Sequence, residues 1–133
     1  MIPPRHPPTH EDADVAVFLA SANIAPPAKI LDAPCGIGRR AFALAERGYR
    51  VTAVDPNEVA VQALNGRVPP NLASRLEIRH AAKDTLPGPP VSEEFDAILC
   101  LDHAVGRDTA EGDVAFLRRL RGHLAPEGLL LLE

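Results

Sequence analysis

The run Lys29-Ile-Leu-Asp-Ala-Pro-Cys-Gly-Ile-Gly-Arg39, followed by Val51-Thr-Ala-Val-Asp55, constrains the fold of this chain more than any other stretch. It holds an apolar strand, a glycine turn with an acid at its start, a helical segment and a second apolar strand that ends in an acid. Two buried strands joined through a helix pair in parallel, with a right-handed crossover. The glycine turn then falls at the carboxyl end of the sheet, where open α/β folds bind nucleotide cofactors.

The rest of the chain repeats the alternation. Residues 9–23 predict a helix capped by Thr9, with Val15, Phe18, Leu19 and Ala22 at helical spacing. Pro26-Pro27 ends that unit, and residues 28–32 form the first strand. Gly38 to Arg47 predict a helix with Phe42 and Ala45 on one face and Gly48 as its stop. Residues 50–54 form the second strand. Asn57 caps the next helix, whose stripe is Ala60, Val61, Leu64 and Val68, broken by Pro69-Pro70. Residues 75–80 alternate like a strand near a sheet edge, and 84–94 are rich in proline and glycine and predict loop. Phe95 to Leu101 is a buried strand. Thr109 to Leu124 predict a helix with Asp108 and Glu111 spaced as a capping box and Val114, Phe116, Leu117, Leu120 and Leu124 facing inward. Ala125-Pro-Glu-Gly128 is a turn, and Leu129 to Leu132 a fifth strand. The fold class is therefore α/β, a doubly wound parallel sheet with helices on both faces.

At 133 residues the chain makes one domain. Residues 1–8 form a proline-rich arm, and residues 9–133 form the domain. The formal charge of −4 and the 4% aromatic content leave no basic, aromatic-studded surface, so nucleic acid is not an expected partner. Arg118, Arg119 and Arg121 sit where a helix end favours cations. No apolar stretch approaches the ~20 residues of a membrane span, and no secretion signal opens the chain, which points to a cytoplasmic protein. Cys35 and Cys100 then read as reduced thiols. No metal site is expected, because prolines separate His6 from His10. His80 and His123 lie at a strand end and in a helix's last turn.

The acid at position 32 indicates the kind of cofactor. A carboxylate in the glycine turn repels a pyrophosphate and welcomes a cofactor with cationic groups, such as the ammonium and sulfonium of S-adenosyl-L-methionine. From Lys29 onward the chain resembles class I S-adenosylmethionine-dependent methyltransferases. Ile30-Leu-Asp-Ala-Pro-Cys-Gly-Ile-Gly38 resembles their first motif, Val54-Asp55 the acid ending the second strand, Phe95-Asp-Ala-Ile-Leu99 the fourth strand, and Leu117 through Leu132 the helix and fifth strand. The resemblance implies a Rossmann-like methyltransferase core with strand order 3-2-1-4-5. It implies cofactor contacts at Asp32, Ala33, Cys35, Gly36, Gly38, Asp55, Pro56, Asn57, Ala82, Asp84 and Leu101. Asp55 would hold the ribose hydroxyls, Asp32 the ammonium directly or through water, and Pro56 and Asn57 the flanks of the adenine. Gly36 and Gly38 would let the backbone approach the methionine end closely. Cys35 fills a small apolar position rather than acting as a reactive thiol.

The pattern departs from the family in two places. Many members carry an acid four residues before a Leu-Pro pair to bind the adenine amino group; here that position is Ala82, and Asp84 follows two residues later. The sheet of the family also continues past the fifth strand, so Leu129 to Leu132 would form a bare apolar edge. A longer protein, a homodimer paired through that edge, and a minimal or retired relative are three explanations. For methyl transfer, Asp102 and His103 after the fourth strand are the candidates for acceptor-side catalysis. The chain lacks an Asn-Pro-Pro-Tyr-like motif there, which with the missing basic surface favours a small-molecule acceptor. Two alternatives stand beside this reading. One is a non-catalytic or truncated cofactor-binding or assembly module. The other is an NAD(P)-binding Rossmann protein, since Gly36-Ile-Gly-Arg-Arg-Ala41 fits G-x-G-x-x-A; a helix before the first strand and Asp32 in the turn count against it.

Overall fold

The computed structural model describes residues 10–82, 85–87, 93–101 and 109–132. In chain order these residues form α1 (His10–Ser21), β1 (Lys29–Asp32), α2 (Arg39–Glu46), β2 (Arg50–Asp55), α3 (Glu58–Asn65), β3 (Leu76–His80), β4 (Phe95–Cys100), α4 (Ala110–Arg121) and β5 (Leu124–Leu132). The five strands lie in the order β3-β2-β1-β4-β5, and every neighbouring pair is parallel. This is the doubly wound arrangement that the alternation and the resemblance imply.

The central strand explains the order. Ile30 pairs with Val51 of β2 on one side and with Ala97 of β4 on the other. Successive residues of a strand point to opposite faces. Ile30, Ala53 and Leu99 accordingly pack with Leu19 of α1, Leu44 of α2 and Leu64 of α3. Leu31, Val54 and Ile98 pack on the other face with Phe116 and Leu120 of α4 and with Leu86. Both faces being covered is why β1, β2 and β4 read as near-continuous apolar runs.

Several local expectations shift. In α1 Leu19 is fully buried whereas Phe18 is 49% exposed, because the inward stripe runs through Val15 and Leu19. Its proposed cap, Thr9, lies outside the described residues. Helix α3 ends at Asn65 with Gly66 as its cap, ahead of Pro69-Pro70, so Val68 packs on the core from beyond the helix. Thr109 caps α4 in place of Asp108, its hydroxyl accepting from Gly112 N at 3.0 Å. The helix then presents Phe116 and Leu120 to the core and leaves Val114 47% exposed.

Helix α4 ends at Arg121, and Leu124 is already the first residue of β5. The expected turn at Ala125–Gly128 becomes a bulge inside that strand: Phe95 pairs with Leu124, whereas Ala97 pairs with Leu129. His123 lies beyond the helix rather than in its last turn. It is buried, its ring Nδ1 donates to Glu93 O at 2.7 Å, and its carbonyl accepts from Phe95 N at 2.7 Å. Of the expected loop 84–94, Thr85–Pro87 form a turn, with Leu86 driven into the second core. Among the described residues, no helix is long and apolar enough to cross a membrane.

Candidate cofactor site

The glycine turn leaves β1 at its carboxyl end, between β2 and β4. Parallel pairing carries one step past the strand, where Ala33 N donates to Leu99 O (3.0 Å) and Cys35 N to Val54 O (2.9 Å). The turn is thus tied to both neighbours of β1, across the point where the strand order reverses. Gly38 N donates back to Cys35 O at 3.0 Å, and Phe42 N to Gly38 O at 2.9 Å starts α2.

Asp55 ends β2 and is 7% exposed. Its Oδ2 accepts from Gly36 N at 2.8 Å, and its Oδ1 accepts from Asn57 N at 2.9 Å. Asn57 in turn caps α3, its Oδ1 accepting from Ala60 N at 3.1 Å. One carboxylate therefore joins the glycine turn to the start of α3. A carboxylate offers about four acceptor positions, so these two bonds leave capacity for a vicinal diol.

The two glycines have different structural reasons. Both adopt left-handed backbone, with φ +56° at Gly36 and +81° at Gly38. A β-carbon on Gly36 would meet no atom within 4 Å. On Gly38 it would lie 2.8 Å from Leu64 Cδ2 and 3.2 Å from Phe42 Cε2. Gly36 faces open space at the mouth of the site. Gly38 is small because α2 and α3 close on it.

Asp32 is fully buried, and Arg40 of α2 places Nη1 3.8 Å from its Oδ1. Sequence reasoning missed Arg40, which sits only 9% exposed on the turn following the glycines. The Cys35 thiol is pushed from 9.0 up to about 12, first by burial and then by the Asp32 and Asp55 carboxylates. It remains a protonated, apolar filler, since only a thiolate is nucleophilic.

Pro56 and Asn57 are exposed beside Asp55, and Leu101 is buried at the end of β4. His80 belongs to this neighbourhood although its sequence context gave no sign of it. It pairs in register with Asp55, and its Nε2 lies 3.1 Å from Pro56 O. A carbonyl only accepts, so Nε2 carries the proton. Ala82 is exposed two residues past β3, and its carbonyl accepts from Thr85 N (2.9 Å) and Thr85 Oγ1 (3.1 Å). Asp84, Asp102 and His103 lie outside the described residues. No cluster of metal-ligating side chains occurs among the described residues. An open apolar cavity of about 320 Å³, lined by Ala16, Val17, Ala20, Pro26, Arg47 and Tyr49, lies at the amino end of the sheet, away from the glycine turn.

Among solved structures, the calicheamicin-pathway amino pentose methyltransferase CalS10 of Micromonospora echinaspora, solved with S-adenosylmethionine bound, is similar at 29% identity. Its TM-score is 0.76, over 92% of this chain and 49% of CalS10. The glycopeptide N-methyltransferase MtfA with sinefungin is similar at 19% identity and TM-score 0.77, over 94% of this chain and 49% of MtfA. DesVI of Streptomyces venezuelae is similar at 19% identity and TM-score 0.76, over 92% and 49%. The chain thus spans about half the length of these structures. No curated protein sequence matches it. A family model described as a methyltransferase domain matches residues 30–128, from the first strand through the bulge of β5, and the chain belongs to that methyltransferase family.

Proposed function

We propose that this chain binds S-adenosyl-L-methionine at the carboxyl end of β1 and β2 and directs its methyl group to a small-molecule acceptor. The observation that carries this reading is the Asp55 carboxylate, held by Gly36 N at 2.8 Å and Asn57 N at 2.9 Å. That arrangement fixes an acceptor for both ribose hydroxyls beside a turn open at Gly36. Asp32, fully buried with Arg40 at 3.8 Å, lies at the start of the same turn, where its charge would act on the cofactor's ammonium directly or through water. The same buried carboxylate disfavours a pyrophosphate on this turn, which argues against a dinucleotide. Pro56, Asn57, Ala82 and Asp84 surround the adenine in this reading, and Ala33, Cys35, Gly38 and Leu101 complete the pocket wall.

Bound there, the cofactor supplies a sulfonium methyl group open to in-line displacement. The task left to the protein is alignment and exclusion of water. Asp102 and His103, in the segment after Leu101, are proposed to meet the acceptor and take its proton where the acceptor needs it. CalS10 is described as acting on an amino pentose and MtfA on a glycopeptide, which supports a small-molecule acceptor here. The edge of β5 is the surface proposed for a homodimer contact, and the cytoplasm the proposed setting.

Calorimetric titration with S-adenosylhomocysteine, with NAD as control, tests the reading. Saturable binding of the first alone, abolished in Asp55→Ala, is the expected result. A folded chain that binds neither points to an incomplete or retired methyltransferase domain instead, and one that prefers NAD overturns the cofactor assignment.

A further inference from the structure

We propose that Arg79 and Arg119 are positioning residues for the base of the cofactor: together they set where the backbone after β3 stands beside the site. The inference rests on the cofactor reading above. Arg79 projects from β3, and its Nη1 donates to Pro87 O at 3.2 Å and pairs with Glu93 Oε1 at 3.3 Å. Its Nη2 pairs with Glu77 Oε2 at 3.1 Å. Arg119 projects from α4, and its Nε donates to Leu86 O at 2.9 Å. Two guanidinium groups from separate elements thus hold consecutive carbonyls of one loop. Nearer β3, Thr85 N and Oγ1 both donate to Ala82 O. At its other end Ala81 N donates to Asp55 O at 3.3 Å, on the residue that would hold the ribose.

The need for a clamp follows from Ala82. A carboxylate at that position could reach an amino group with its own flexible length. Alanine offers only backbone there, and a backbone hydrogen bond is as accurate as the placement of its loop. Leu86, 1% exposed, anchors the loop from below, but apolar packing is not directional. The planar guanidinium forks supply the direction.

The test compares S-adenosylhomocysteine with S-inosylhomocysteine, in which the donor and acceptor edge of the base is reversed. Dissociation constants are measured for the parent chain, Arg79→Met, Arg119→Met, and Arg118→Met as a control for charge loss on the exposed side of the same helix, with a melting curve for each. The positioning role predicts that Arg79→Met and Arg119→Met each weaken S-adenosylhomocysteine roughly 10-fold, shrink its advantage over the inosyl analogue by a similar factor, and leave Arg118→Met at parent values. An unchanged adenine-to-hypoxanthine ratio in folded variants overturns the proposal, because a purely structural role weakens both ligands alike. A parent chain that binds neither ligand overturns the cofactor reading and the proposal with it. Where a methionine variant does not fold, Arg→Lys at the same position, which keeps the charge but loses the fork, is judged by the same ratio.

Discussion

Alanine at Gly38 and alanine at Gly36 should fail in different ways. At Gly38 an L-residue must adopt φ +81°, and its β-carbon would stand 2.8 Å from a methyl of Leu64. Leu64 is 2% exposed, so that methyl has little room to yield. The left-handed backbone costs about 1–2 kcal/mol and the overpacking about 1–3 kcal/mol, together about 3 kcal/mol. In a domain of this size that lowers the melting midpoint by roughly 10 °C. At Gly36 the backbone cost is similar, but no atom lies within 4 Å of the added carbon, so stability falls by only about 1 kcal/mol. S-adenosylhomocysteine binding should show the reverse order, with Gly36→Ala losing at least about 10-fold because its methyl occupies the open mouth of the turn. Chemical denaturation followed by circular dichroism, alongside calorimetric titration, reads both quantities. A double-mutant cycle sharpens the argument. Leu64→Ala alone costs about 2–5 kcal/mol, but combined with Gly38→Ala it should cost about 1–2 kcal/mol less than the sum, since the clash disappears with the leucine. Equal stability of the two alanine variants, or strict additivity in the cycle, would refute this account of the turn.

Other expectations follow from single contacts. Asp55→Asn leaves one of two backbone donors facing an amide NH2. It should lower stability by about 1–3 kcal/mol and S-adenosylhomocysteine affinity by roughly 100-fold, measured by melting and titration. Asn57→Ala removes the cap of α3 and should cost about 1 kcal/mol by urea denaturation, with m unchanged. Cys35 holds its proton in the folded chain until about 12 but loses it near 9.0 once unfolded. Its contribution is therefore fully present below pH 9.0 and drains away as pH rises toward 12. Cys35→Ala should flatten the alkaline fall in stability, and an alkaline limb identical to the parent's would contradict that. Arg75 donates from Nε to Ala45 O at 2.6 Å, beyond the reach of local sequence, and Arg75→Met should cost about 1–2 kcal/mol in the same urea assay.

What the residues disclosed and what they withheld divide along physical lines. The strands β1, β2 and β4 were legible because burial on both faces leaves an unbroken apolar run, and Asn57 because a cap acts on its own helix. The choice between Phe18 and Leu19 was not legible, since both fit the spacing and only the position of β1 and α2 decides which turns inward. Thr109 and Asp108 are both good caps, and the one-residue difference depends on where α4 docks. The β5 bulge hides behind an Ala-Pro-Glu-Gly sequence that describes a turn equally well. At the site, Asp32, Gly36, Gly38 and Asp55 were visible as a motif. Arg40, His80, Arg79 and Arg119 were not, because each acts on a partner supplied by another element.

The bond between Gly36 N and the Asp55 carboxylate spans 19 residues and encloses the whole of α2. Its two partners sit at opposite ends of the strand–helix–strand unit, and a partly unravelled unit has lost it. Ligand affinity is in that sense a gauge of closure. A ligand that recognises only the joined state stabilises it by about 2.7 kcal/mol at a hundred times its dissociation constant. Amide protons in β1 and β2 should then exchange more slowly as ligand is added, in step with one another and ahead of any change in β5. Under the proposed cofactor reading, the pinned carboxylate would couple the survival time of the central strands to the concentration of a small molecule outside them.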